Sequence, residues 1–173
     1  MNDDIYQMYL DEVKRIPACT PEEEQTLPGL AKAGDKAARE RLLEGMLHYA
    51  VELAGKYKNR GLAAGDLVQE ANMAMLLALD GYAGGDFRGQ AEALAAERIL
   101  DLIEQQKREK QAGEEIAARV NVLKDISKMM ADELGREATV EELAAKMKMT
   151  AEEIKDIMKV TLDAMSVSPG MGF

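Results

Sequence analysis

Tryptophan is absent from this 173-residue sequence, and the aromatic residues stop at five Tyr and two Phe. A core without large rings has to be filled by Leu, Ala, Ile, Val and the twelve Met. The single cysteine, Cys19, excludes an internal disulfide. The single histidine, His48, has no second His or Cys near it, so zinc spacing is missing and a half-buried helix position is the ordinary expectation. No run approaches the roughly 20 apolar residues that span a bilayer. The start, Met1-Asn2-Asp3-Asp4, has neither the basic nor the apolar part of a signal peptide. A cytoplasmic chain without a membrane partner is expected. Also missing are a nucleophile, base and orienter set and a phosphate-cradling loop, since Gly84-Gly85 lacks a strand-to-helix context. The sequence therefore predicts no enzyme, no cofactor and no metal. Cations are short too: 22 Lys and Arg against 32 Asp and Glu give a net charge of −10, which repels a phosphate backbone and disfavours bulk nucleic-acid binding.

What is present is helical periodicity. Apolar residues recur at spacings of three and four while alternation at period two is nearly absent, so the fold class expected is all-α. Thr20-Pro21-Glu22-Glu23, Thr139-Val140-Glu141-Glu142 and Thr150-Ala151-Glu152-Glu153 each place a capping Thr three residues before a Glu. Gly34, Gly61, Gly81 and Gly135 follow apolar runs in the manner of helix ends. Helices are predicted over 4–14, 21–33, 36–59, 66–80, 89–108, 115–134, 140–148 and 151–164. Lys107-Arg108-Glu109-Lys110-Gln111-Ala112-Gly113 is polar and ends in Gly, which marks a boundary between two helical units. The organisation expected is a helical domain over 1–108, a linker over 109–113, a three-helix domain over 114–165 and a flexible tail over 166–173.

Two stretches carry most of the functional signal. In the first, residues 59–80, Leu67, Val68, Ala71, Met75, Ala78 and Leu79 fall on one helical face. Asp66, Gln69, Glu70, Met73 and Leu77 fall on another, where acids and an amide alternate with flexible apolar groups. That mixture suits a partner-binding surface. A central helix buried on two sides accounts for the same pattern. The segment Arg60-Gly61-Leu62 followed by Asp66-Leu67-Val68-Gln69-Glu70-Ala71-Asn72 and an apolar run ending at Asp80 resembles the most recognisable segment of housekeeping-type bacterial RNA polymerase sigma factors. Asp4–Val13, Thr20–Glu24, Ala33-Gly34-Asp35 and Ala38–Glu44 follow in that family's order, and Glu133–Ala144 is similar to the start of its third domain. The resemblance implies a sigma domain-two-like unit followed by a domain-three-like, helix-turn-helix-spaced unit. It also implies docking on the coiled-coil of the largest subunit of core RNA polymerase through Asp66, Gln69, Glu70, Asn72, Met73 and Leu76.

The second stretch departs from the family. Where sigma factors of this type hold melted promoter bases on exposed rings, this chain reads Gly84-Gly85-Asp86-Phe87-Arg88-Gly89-Gln90-Ala91-Glu92-Ala93-Leu94-Ala95-Ala96-Glu97-Arg98. The family's Trp-Trp pair aligns with Ala93-Leu94, its following basic position with Ala96, its Gln with Glu97 and a further basic position with Asp101. Stacking contributes about 1–3 kcal/mol per base, so this loss forfeits several kcal/mol of strand binding. Residues 61–106 hold eight acids against two bases, Arg88 and Arg98. An ordinary amphipathic helix, with Leu94, Ile99, Leu102 and Ile103 inward and Glu92, Arg98 and Glu104 outward, describes the stretch as well. Phe87, Arg88, Arg98, Lys107, Arg108 and Lys110 remain the candidate DNA contacts, although the last three read more simply as a solvated linker. Residues 139–161 have helix-turn-helix spacing, and their second helix carries Lys155 and Lys159 but no Arg, Asn or Gln for a bidentate base contact.

The cations between residues 30 and 60 read most simply as a solvated face with i,i+4 pairs such as Lys36–Glu40. Two functions follow from the resemblance. One is an initiation factor that docks on core polymerase and reads promoter DNA weakly or in altered form. The other is a sigma mimic or regulator that binds core polymerase, or an anti-sigma-type partner, without reading DNA.

Overall fold

The structure, a computed structural model, describes residues 3–166, within which every regular element is a helix. The order is α1 (Asp3–Val13), α2 (Pro21–Lys32), α3 (Lys36–Gly45), α4 (Leu47–Gly55), α5 (Ala64–Asp80), α6 (Phe87–Leu134), α7 (Val140–Met147) and α8 (Ala151–Ser166). The tail expected over 166–173 lies outside the described residues except for Ser166, which ends α8. Two compact units divide between Lys107 and Arg108.

Starts follow the sequence signals. Thr20 Oγ1 accepts from the Glu23 amide at 3.2 Å, while the Thr20 amide donates to Glu23 Oε2 at 2.9 Å. The same reciprocal bonds link Thr139 with Glu142 and Thr150 with Glu153. Asp35 caps α3 by accepting from the Ala38 amide at 3.0 Å.

Two of the expected boundaries differ. The helix expected over 36–59 is divided at Met46 and ends at Gly55. The division has a local cause: the loop between α1 and α2 presses against Gly45, whose carbonyl accepts from the Cys19 amide at 3.1 Å. A Cβ at Gly45 would lie 2.3 Å from Cys19 Sγ, so only glycine admits this approach. The second difference is at Lys107–Gly113, where α6 continues without a break. Polarity does not end a helix. Lys, Arg, Glu, Gln and Ala are all strong helix formers, and one Gly costs only about 1 kcal/mol relative to Ala.

In the first unit, Leu42, Met46, Tyr49, Ala50 and Leu53 of α3 and α4 pack with Ala71, Ala74, Met75, Ala78 and Leu79 of α5. Phe87, Ala91 and Ala95 of α6 join them, and Ile99 packs in a neighbouring cluster with Ala54, Leu67 and Val68. The fully buried face of α6 is thus Phe87, Ala91, Ala95 and Ile99, one residue every four. Of the residues expected inward, Ile99 is fully buried, whereas Leu94, Leu102 and Ile103 are half-buried. Tyr6 and Tyr9 of α1 close over the second cluster, and Tyr82 meets Phe87 edge-on at 6.0 Å between centroids. In the second unit, Leu123, Leu143, Ala144, Ile154 and Ile157 form a small separate core. Residues with helix-turn-helix spacing are here packing elements, and Lys155 pairs with Glu152 at 3.1 Å.

Arg41 fastens the loop before α2. Its guanidinium donates to the Pro17 and Ala18 carbonyls at 2.8 and 3.0 Å and pairs with Glu23 at 2.8 Å. That pairing, with the Thr20 amide bond second, holds the Glu23 carboxyl at about 2, well below its ordinary 4.5. Arg136 and the Thr139 amide do the same for Glu142, also to about 2. His48 is half-buried with Nε2 at 2.6 Å from the Ile16 carbonyl.

Both carboxylates have folded values below their unfolded ones, so their contribution is complete above about pH 4.5 and is lost as pH falls towards 2. Glu23→Gln is expected to lower stability at pH 7 and to flatten its decline between pH 4.5 and 2, read by urea midpoints against pH. All five Tyr lie between residues 6 and 82, so tyrosine fluorescence reports the first unit. Gly45→Ala is expected to destabilise that unit by about 1–3 kcal/mol through overpacking, with part recovered when Cys19→Ala is added.

Candidate functional site

Helix α5 has one wholly apolar face. Leu67, Val68, Ala71, Ala74, Met75, Ala78 and Leu79 are all at most 3% exposed. The opposite face is open, with Met73 at 43% and Leu77 at 40% exposure. The face through Met73 and Leu77 is therefore not enclosed. Asp66 and Gln69 are exposed on the same stripe, and Glu70 and Leu76 are half-buried at its edges. The result is a strip of acid, amide and thioether or aliphatic groups at positions 66, 69, 73 and 77, the i, i+3, i+4 spacing of one helix face. Of the sequence-predicted residues, Asn72 lies off the open stripe: it is half-buried, and its Nδ2 donates to Tyr9 Oη at 3.0 Å. Asn72 thereby ties α5 to α1. Burial raises the Tyr9 hydroxyl above its usual range, with the Asn72 bond opposing, so the phenol stays neutral.

The candidate DNA contacts sit differently from their expected role. Phe87 is 1% exposed and belongs to the core, so its ring is no stacking platform. The reason is packing: one helical face carries Phe87, Ala91, Ala95 and Ile99, and α6 can bury that face only by taking Phe87 with it. Arg88 turns back into the unit. Its Nε and Nη2 donate to the two Glu24 oxygens at 2.9 and 2.6 Å, and the guanidinium lies 4.0 Å from the centre of the Tyr49 ring. Tyr49 donates its hydroxyl to Glu92 Oε2 at 2.8 Å, and Lys56 donates to Glu92 Oε1 at 2.6 Å. Lys56, then Tyr49, hold the Glu92 carboxyl below its ordinary value, while burial and then Glu92 push the Tyr49 phenol up. Glu92, expected outward, thus bridges α4 and α6.

Arg98 is likewise engaged. Its guanidinium pairs with Glu70 at 2.7 Å, so one expected DNA contact neutralises one expected docking carboxylate. Lys107, Arg108 and Lys110 are exposed on α6, and Lys110 lies 4.0 Å from Glu114 one turn on. Among the described residues, no three His, Cys, Asp or Glu converge as metal ligands. No helix among them is long and apolar enough to cross a membrane.

Sequence reasoning missed the residues that hold this arrangement: Glu24, Tyr49, Lys56 and Glu92. Their pairings join positions 64, 43 and 36 residues apart, beyond any local spacing rule. Among the cations of residues 30–60, expected on a solvated face, Lys32 donates to the Asp80 carbonyl and Arg39 pairs with Asp80 at 3.2 Å, so these two join helices.

Comparison with known proteins gives this geometry a family. Residues 118–169 match the family described as Sigma-70 region 3. The chain is 32% identical over 173 residues to the RNA polymerase sigma factor SigA of Clostridium acetobutylicum, an alignment covering 98% of this chain and 46% of that protein. It is 32% identical over 175 residues to SigA of a Bacillus species, covering 99% and 46%. SigA of Listeria monocytogenes is 29% identical over 175 residues, with the same coverage. The chain spans about half the length of the curated relatives it matches. With an all-α fold of two units, the chain is similar across nearly its whole length to bacterial RNA polymerase sigma factors of the SigA type, and its residues 118–169 match Sigma-70 region 3.

Proposed function

We propose that the chain docks on core RNA polymerase through the open face of α5, as an initiation-type factor that holds promoter strands weakly. The observation that carries this reading is the solvent-facing pair Met73 and Leu77, set among Asp66, Gln69 and Glu70 on a helix whose other face is closed. Two exposed apolar side chains at helical spacing supply contact area, and the acids and amide set register and favour a basic, apolar helical partner. The resemblance implies the coiled-coil of the largest subunit as that partner, and the relatives are RNA polymerase sigma factors by name. Leu76 extends the apolar strip, and Asn72 serves through Tyr9 by fixing α5 against α1.

The weak promoter reading rests on where the strip residues go. Phe87 is core, Arg88 is held by Glu24 and Tyr49, and Arg98 is held by Glu70. Those same placements favour a second reading, a sigma mimic that occupies the polymerase site, or engages an anti-sigma-type regulator, without binding DNA. Lys107, Arg108 and Lys110, exposed on α6, are the phosphate contacts that the initiation reading would use.

The test is binding of the purified chain to core polymerase, followed by binding of that complex to a labelled single-stranded promoter fragment. Docking with DNA binding supports the initiation factor, docking alone supports the mimic, and no docking refutes both. Gln69→Ala with Glu70→Ala is expected to weaken core binding about 30-fold, the scale of a hot-spot pair. Unchanged affinity in a variant with unaltered thermal melting would remove α5 from the interface. Phe87→Ala is expected to cost about 3–5 kcal/mol of stability by opening a core cavity, as a core residue does and a surface stacking ring does not.

A further inference from the structure

The second unit contains a groove of about 550 Å³ between α6 and α8. Its apolar lining includes Val120, Leu123, Leu143, Met158 and Leu162, and Lys124, Lys128 and Glu137 are its charged groups. We propose that this groove is a docking site for an acidic amphipathic helix of a partner protein. The inference is independent of polymerase docking, which uses α5 in the other unit.

Three observations fix the occupant's chemistry. The groove is bounded by Leu162, which at 66% is the most exposed large apolar residue among those described. An apolar wall left open beside a buried floor of Leu123 and Leu143 fits a partner's apolar stripe. Second, the lining on α6 runs from Val120 to Ala131, about 18 Å at ~1.5 Å per residue, which accommodates about three turns of a partner helix. Third, Lys124 and Lys128 lie one turn apart on that helix, both exposed. Among the described residues neither makes an ion pair, although Arg41, Lys56, Arg88, Arg98, Arg136 and Lys155 all have carboxylate partners. In a chain of net charge −10, two unmatched lysines beside an apolar groove favour two carboxylates on the incoming helix. Glu137, the one acid in the lining, disfavours a third carboxylate near it and so restricts the register.

The test titrates the full chain against two labelled helical peptides that share one Leu stripe. One carries paired Glu at i and i+4 beside the stripe, the other paired Lys. The Glu peptide is expected to bind about tenfold more tightly, to shift the Met158 methyl resonance, and to lose its advantage when Lys124→Glu and Lys128→Glu are combined. Leu162→Lys, at an exposed position, is expected to weaken binding about tenfold with far-UV helicity unchanged. Equal binding of the two peptides, or a preference that survives reversal of both lysines, overturns the proposal. A dimer seen by sedimentation velocity that Leu162→Lys dissolves also overturns it, because the occupant is then a second copy of the chain.

Discussion

The first unit depends on how Arg88 is held. Its guanidinium is pinned between the Glu24 carboxylate of α2 and the Tyr49 ring of α4, and it sits beside Phe87 at the start of α6. A bidentate charge-assisted pair of this kind contributes about 1.5–3 kcal/mol, and the cation–π contact about 0.5–2 kcal/mol. Releasing Arg88 would also strand Glu24, whose side chain is only 16% exposed. Extracting Phe87 would cost about 3–5 kcal/mol more. Against this, one stacked base returns about 1–3 kcal/mol. Keeping Arg88 and Phe87 in the fold therefore outweighs one stacked base, and the anchored first turn and the buried Ala91, Ala95 and Ile99 face of α6 support each other.

That anchoring decides what α5 can do. With Ala91, Ala95 and Ile99 of α6 on one side and α4 on another, the only open part of α5 is the stripe through Asp66, Gln69, Met73 and Leu77. Arg98, one helix away, draws half-buried Glu70 to the edge of that stripe. Asn72 draws the other side towards Tyr9. The stripe is thus framed by two side-chain ties across helices, which fixes its side chains on a rigid element before any partner arrives and reduces the ordering cost of binding.

How much of this was legible from sequence follows the range of the interaction concerned. Helix starts were legible because a capping box spans three residues, and all three Thr and Glu pairs are bonded. The inner face of α5 was legible because burial of Leu67, Val68, Ala71, Met75, Ala78 and Leu79 repeats at helical spacing. The break at Met46 was not, because it comes from a loop 26 positions earlier that Gly45 alone admits. Continuity through Gly113 was obscured because the absence of apolar residues removes a reason for burial without removing helix propensity. Arg88 was visible as a cation, but nothing near it in sequence announces Glu24, 64 residues earlier.

The same division by range explains the acidity. A net charge of −10 describes the chain as a whole, but several of the acids are already engaged within the fold. Glu23, Glu24, Glu70 and Glu92 each meet an Arg or Lys from another element or loop and hold the first unit together. They engage cations that a phosphate backbone would otherwise meet on this unit. Lys124 and Lys128, which are outside that pairing, stand beside apolar surface in the second unit. The surface potential that a partner meets is therefore set less by composition than by which charges the fold has already consumed.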